Sequence, residues 1–231
     1  MVGFTIPLGI LGAQAAKVFK ELEAEAVNFR KVYGDMFTTD VEVEKNLQAV
    51  KELATEMTKY GISIQQSMEL ANVAAQSGAR GQDLISQTTE ATRLAVLGQM
   101  EQQEAIRTTI TLQNAFQMSN EELTESINFL NIVENQSVLS LQNVTEAIPR
   151  VAPVIKSLGG DVKDLSVMLV AMREGGVSAA EGANALKTSL ARLVSPTAGA
   201  VKMAEKFGIN LQNIVVENKG DILGAVMELA D

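Results

Sequence analysis

The sequence predicts an all-α protein: a multi-helix array of short antiparallel helices and helical hairpins, with one small irregular or extended segment near residues 208–220. Three observations carry this. Apolar residues recur at three- and four-residue steps through almost every segment, the spacing of one helix face. Ser, Thr or Asp followed three residues later by an acid or amide recurs just ahead of those stripes, the reciprocal cap of a helix start. Glycines stand just past the stripes, roughly every 15–20 residues, where a helix closes in the left-handed conformation.

The elements follow in order. "AAKVFKELEAEAVNFRKVYG" places Ala15, Phe19, Leu22, Ala26 and Phe29 on one stripe, ended by Gly34. "TTDVEVEKNLQAVKELATEMTKYG" opens with Thr39 and Glu42 as a capping box and lines up Val43, Leu47, Val50, Ala54 and Met57 before Gly61. "ISIQQSMELANVAAQSG" repeats the device with Ser63 and Gln66 and closes at Gly78. A helix from Asp83 to Gly98 follows, then one with Ala105, Thr109, Leu112 and Phe116 on one side. Ser119 with Glu122 caps the next, which carries Leu123, Ile127, Leu130 and Val133.

"SLQNVTEAIPRVAPVIKSLGG" keeps a helical stripe from Leu141 to Leu158 with Pro149 and Pro153 inside it. A mid-helix proline costs about 3 kcal/mol. The segment therefore reads either as a kinked helix or as a short helix with a second one beginning near Pro153. Gly159 and Gly160 end it, and Asp161 starts a helix bearing Leu165, Met168, Leu169 and Met172. In "AMREGGVSAAEGANALKTSLARLVSPT", Gly175 and Gly176 close that helix and Ser178 with Glu181 caps another. Gly182, Ala185 and Ser189 form a small-residue face on it beside Leu186, Leu190 and Leu193, and Pro196 stops it. "GINLQNIVVENKGD" alternates weakly and reads as an extended loop or short hairpin before a last helix start at "ILGAVMELAD". The segments beginning at Gly61 and Gly159 share a glycine, a polar first turn, a Met/Leu/Ala stripe and a closing glycine. Their spacing is unequal, so no regular solenoid is implied.

Composition bounds the chemistry. The 231 residues suffice for one large or two small domains, and a hydrophobic fraction of 46% excludes wholesale disorder. Aromatics are 4%, so the core is built from aliphatics, alanine and ten methionines. With no histidine and no cysteine there is no Cys/His zinc site, thiol nucleophile, imidazole proton shuttle or disulfide framework. A net charge of −9 and no basic stripe argue against tight nucleic-acid binding. No metal or cofactor is expected.

The carboxylates are the remaining acids and bases. Glu101 with Glu104, Glu121 with Glu122, and Asp161 with Asp164 each sit at a helix start, where the unsatisfied amides favour negative charge, so a structural reading covers them. "GARGQDL" lies between helices and lacks the strand and lysine of a phosphate loop. Met57, Met68, Met100, Met118, Met168, Met172 and Met203 suit core packing better than a peptide groove. The face Gly182, Ala185, Ser189 admits a close helix from within the chain or from another copy. Residues 1–16, "MVGFTIPLGILGAQAA", carry no charged side chain but are too short to span a bilayer and lack a basic lead. They read as an arm or helix start packed on protein, with membrane contact the alternative.

In their order, "KYGISIQQSMELANVAAQSGARGQDLISQTTEATRLAVLG", the segment from "AFQMSNEELTESINFLNIVENQS" to "LARLVSP", and "KFGINLQNIV" resemble the core region of bacteriophage tail tape measure proteins. The resemblance spans about residues 34–231. It implies residues 1–33 as an N-terminal arm and first helix, 34–207 as the helical core region, and 208–231 as a loop and the start of a helix continuing into a coiled-coil rod. It implies a structural protein that sits in the tail-tube lumen of the virion, sets tail length during assembly in the host cytoplasm, and leaves at genome ejection. The implied partners are other copies of itself, as a trimer, together with tail tube protein, tail assembly chaperones, tail tip proteins and the host membrane at infection. No catalytic residue transfers with it. What transfers is packing, at Gly78, Gly159, Gly176, Ser178, Gly182, Leu186 and Pro196. A soluble adaptor for partner helices, or a cell-wall-degrading module relying on its glutamates, are the rival expectations.

Overall fold

The computed structural model describes residues 8–34, 39–218 and 220–230. The first seven residues of the expected apolar arm lie outside the described residues. Among the described residues the elements are helices and turns, with no strand. They form two compact units that divide between Ile110 and Thr111, inside helix α5 (Gln102–Phe116).

The first unit contains α1 (Leu8–Gly34), α2 (Asp40–Met57) with a 3₁₀ turn at Thr58–Tyr60, α3 (Ile64–Gln76) and α4 (Gly81–Leu97). Helix α3 lies at its centre, packed against α1, α2 and α4. Its small residues explain this: Ala71, Ala74 and Ala75 are fully buried and let three neighbours approach, while Met68 fills the space between them. Facing them are Ala26 and Phe29 of α1 and the stripe Val43, Leu47, Val50 and Ala54 of α2. Phe29 stacks on Tyr33 with ring centroids 4.9 Å apart. Burying each large apolar side chain contributes roughly 1.5–3 kcal/mol. Polar ties fix the register. Asn72 donates from Nδ2 to Glu25 at 2.9 Å, and the Gly81 amide donates to Asn46 Oδ1 at 3.1 Å.

The second unit contains α6 (Asn120–Gln136), α7 (Leu141–Ser157), α8 (Val162–Glu174), α9 (Ala179–Val194), α10 (Ala198–Lys206), α11 (Leu211–Glu217) and α12 (Ile222–Ala230). Short connections alternate the direction of α6 to α9, so α7 packs on α9 and α6 on α8 as parallel neighbours. Helix α7 runs unbroken through Pro149 and Pro153. Both prolines lie on its exposed side while Val144, Ile148, Val151 and Ile155 are buried on the other. The Pro149 carbonyl, deprived of its amide by Pro153, thus faces water, which lowers the cost of keeping one helix.

Two local expectations are corrected. Residues 208–220 are not an extended loop or hairpin: they contain α11, started by Asn210, whose Oδ1 accepts the Asn213 amide at 3.1 Å. Leu211, Ile214 and Val215 follow helical steps while Ile209, Leu211 and Val215 fall on alternate positions, and the asparagine cap decides between the two readings. Thr39 precedes α2 but makes no side-chain cap. Its carbonyl accepts the Glu42 amide instead, at 3.2 Å.

Candidate functional site

The predicted packing residues fall into three groups. Gly78, Gly159 and Gly176 end α3, α7 and α8 at φ values of 96°, 85° and 86°. Each belongs to the same paired closure. At α8 the Gly176 amide donates to the Arg173 carbonyl at 3.0 Å and the Val177 amide to Met172 at 2.9 Å. A β-carbon is penalised in that left-handed conformation, so the chain uses glycine there.

Ser178 caps α9, accepting the Glu181 amide on Oγ at 3.3 Å, and Pro196 follows its last turn. The third group is the small-residue face, and the structure divides it. Gly182 is buried, and a β-carbon there would meet Met172 Sδ at 3.1 Å and Leu169 at 3.4 Å. Leu186 is buried beside it. Ala185 and Ser189 point to solvent, so only one of the three small residues serves a close approach within this chain. Gly160 went unremarked in the sequence except as the second glycine of a pair. It is buried, and a β-carbon there would collide with Ile222 of α12. Its neighbour Gly159 already provides the turn, so a second glycine was the signal of a close approach. The Gly220 amide donates to the Leu158 carbonyl at 2.9 Å beside it, docking the lead into α12.

Of the candidate carboxylates, Glu122, Asp161 and Asp164 act as caps, as does Glu181, whereas Glu101, Glu104 and Glu121 stand at the starts of α5 and α6. Glu122 and Glu181 accept from the Ser119 and Ser178 amides at 2.7 and 3.2 Å. Hydrogen bonds from the amide and hydroxyl of Ser119 hold Glu122 below the usual carboxylate range, and those of Ser178, the hydroxyl first, do the same for Glu181. Asp161 accepts the Lys163 and Asp164 amides, and Asp164 returns a bond from the Asp161 amide at 3.0 Å. Burial raises the Asp164 carboxyl above its ordinary value. Among the described residues no three acidic groups converge to hold a metal ion.

Two concave features stand out, one in each unit. A polar notch of ≈ 330 Å³ lies around Tyr33, Asn46, Arg80 and Gly81 in the first unit. An open apolar groove of ≈ 370 Å³ runs between the parallel helices α6 and α8 in the second, lined by Phe129, Ile132 and Val133 on one side and Val167, Val170 and Ala171 on the other. Ile132 and Val167 are 49% and 43% exposed. Three of the methionines, Met57, Met68 and Met168, are buried as expected, but Met203 on α10 is exposed beside Phe207, and α10 has no buried residue. No helix among the described residues is long and apolar enough to cross a membrane.

Caps, left-handed closures and uncovered apolar faces define an all-α helical array. The chain belongs to the phage-related minor tail protein family, which it matches over residues 47–231. It is a phage tail protein and, as such, a component of the virion. A curated relative is the "Probable tape measure protein" of Escherichia phage P2, 22% identical over 128 residues, or 55% of this chain and 16% of that protein. The match thus spans less than a fifth of the relative's length. No solved structure matches the chain.

Proposed function

We propose that this chain is the compact helical section of a tape measure protein: it lies in the lumen of the tail tube, helps set tail length during assembly, and leaves with the genome at ejection. The observation that carries this reading is the family match over residues 47–231, joined by the similarity to a protein named as a probable tape measure. A helix advances about 1.5 Å per residue, so an extended helical protein converts chain length into tail length. The described helices are too short and too often closed by left-handed glycines to be that ruler. They suit instead a section that folds, associates and docks tail proteins: tail tube, assembly chaperones and tail tip components are the partners of this reading. Membership of a phage tail family supports a structural rather than enzymatic role.

The test is tail length. Adding helical residues to the extended part of the full-length protein should lengthen tails by about 1.5 Å per residue, read by electron microscopy of purified particles. Tails whose length ignores such insertions would overturn the proposal.

A further inference from the structure

Helix α12 meets the turn between α7 and α8 through its first residue. Ile222 is 1% exposed, and its Cδ1 fills the space that a β-carbon on Gly160 would occupy. Asp164 Oδ2 borders the same space, 2.7 Å from that β-carbon position, and Ile155 closes it at 3.1 Å. Gly160 lies outside the left-handed region, so its lack of a side chain serves space alone. The lead into α12 is strapped down alongside, where the Gly220 amide donates to the Leu158 carbonyl at 2.9 Å. Asp221 then caps α12, its Oδ1 accepting the Gly224 amide at 2.8 Å. Seating Ile222 therefore takes water from the Asp164 carboxyl and brings the Asp221 carboxylate toward it.

The charges around Asp164 act in the same direction. Burial raises its carboxyl most, and the charges of Asp161 on its own helix and Asp221 on α12 raise it further. Opposing them is the Asp161 amide, which donates to Oδ2 at 3.0 Å. The neighbouring cations are turned elsewhere: Lys163 pairs with Glu125 of α6 at 3.8 Å, and Lys156 at the end of α7 bears on Glu122. Glu217 at the end of α11 is exposed, and Lys219 lies outside the described residues.

We propose that the seat of Ile222 over Gly160 is a proton-linked latch, holding α12 more tightly when Asp164 is protonated and less tightly when it is ionised. Covered by Ile222, Asp164 binds a proton more readily than it does uncovered, so docking of α12 takes up a proton. Docking is strongest below the ordinary aspartate range and weakens as pH rises through the value of the covered carboxyl. Because Oδ2 already accepts the Asp161 amide, Oδ1 is the oxygen left to carry the proton. The latch concerns how the second unit holds its last helix, and its failure would leave the tail-length test untouched.

The experiment follows the 231-residue chain by NMR from about pH 3 to 7, spanning the aspartate range. The Asp164 carboxyl carbon reports its titration. Amide exchange at Gly220, Ala225 and Val226, taken relative to Val151 of α7, reports docking. Protection of α12 should fall as Asp164 ionises. Ile222→Ala, which removes the cover, and Gly160→Ala, whose β-carbon displaces it, should each lower that protection. Both should also bring the Asp164 titration down toward the ordinary aspartate range. The loss of protection in the wild type should match the ratio of Asp164 proton affinities with and without the cover, about tenfold for each pH interval of one between the two midpoints. Asp164→Asn should keep α12 equally protected across the range. An α12 whose protection ignores the Asp164 titration overturns the proposal. So does an Asp164→Asn chain that keeps the wild-type pH dependence. An Ile222→Ala chain that is folded, as Val151 protection shows, yet titrates at Asp164 as the wild type does would overturn it too.

Discussion

Helices α3 and α8 have the same length, 13 residues, and the same two boundaries: a reciprocal cap at the start and a left-handed glycine just past the end. Their surroundings differ. Helix α3 is buried on nearly every side, with Ser67, Met68, Leu70, Ala71, Ala74 and Ala75 at 2% exposure or less. Helix α8 buries Leu165, Met168 and Leu169 but leaves Val167 and Ala171 open along the groove. The caps set where a helix begins and stops, and the width of its apolar stripe sets how many neighbours it needs. On α8 the stripe is wider than its own unit covers, and the surplus lies open along the groove.

Breaking this contrast starts with the largest effect. Met68→Ala should cost about 2–5 kcal/mol in chemical unfolding, because α3 cannot close around the lost volume. Val167→Ala at the groove should stay within about 0.5 kcal/mol in the dilute, monomeric chain. A Val167→Ala cost as large as that of Met68→Ala would mean that the α8 face is already covered. Gly182→Leu should destabilise by about 1–3 kcal/mol, since Met172 and Leu169 stand against that position. The matched pair Gly78→Ala and Gly176→Ala, after α3 and α8, should each cost about 1–2 kcal/mol for placing a β-carbon at positive φ. Equal costs would confirm that the closure works independently of burial.

The smallest effect is a pH dependence with two signs. Glu122 and Glu181 titrate below their unfolded range, so their contribution is present above that range and fades as pH falls through the folded values. Asp164 titrates above its unfolded range. Its contribution is present at low pH and is lost as pH rises through the folded value. Stability of Asp164→Asn should therefore match or exceed that of the wild type at neutral pH, with the amide oxygen still accepting from the Asp161 amide. Glu181→Gln should fall below it. Unfolding midpoints taken from acid to neutral pH measure both.

The sequence made legible what short-range chemistry decides. The stripe Val43, Leu47, Val50, Ala54 and Met57 is buried as read, and the caps at Ser63, Ser119 and Ser178 form as read, because spacing and capping need only a few neighbouring residues. Helix α11 was obscured because Ile209, Leu211 and Val215 fall on alternate positions across its start and its seven residues are too few to outweigh them. The small-residue face was read as a unit, yet only the packing of α9 on α8 decides that Gly182 is inside while Ala185 and Ser189 are outside. The groove was invisible for the same reason. The stripes read on α6 and α8 run through Leu130, Val133, Met168 and Leu169, and Phe129, Ile132 and Val167 beside them show as a groove only once the number of covering helices is known.

The chain belongs to a phage tail family, and the central proposal is that it helps set tail length. Electron microscopy of tails assembled by phage lacking the gene is the direct test. Missing tails, or tails of scattered length, are the expected result. Abundant tails of normal, uniform length would contradict the account.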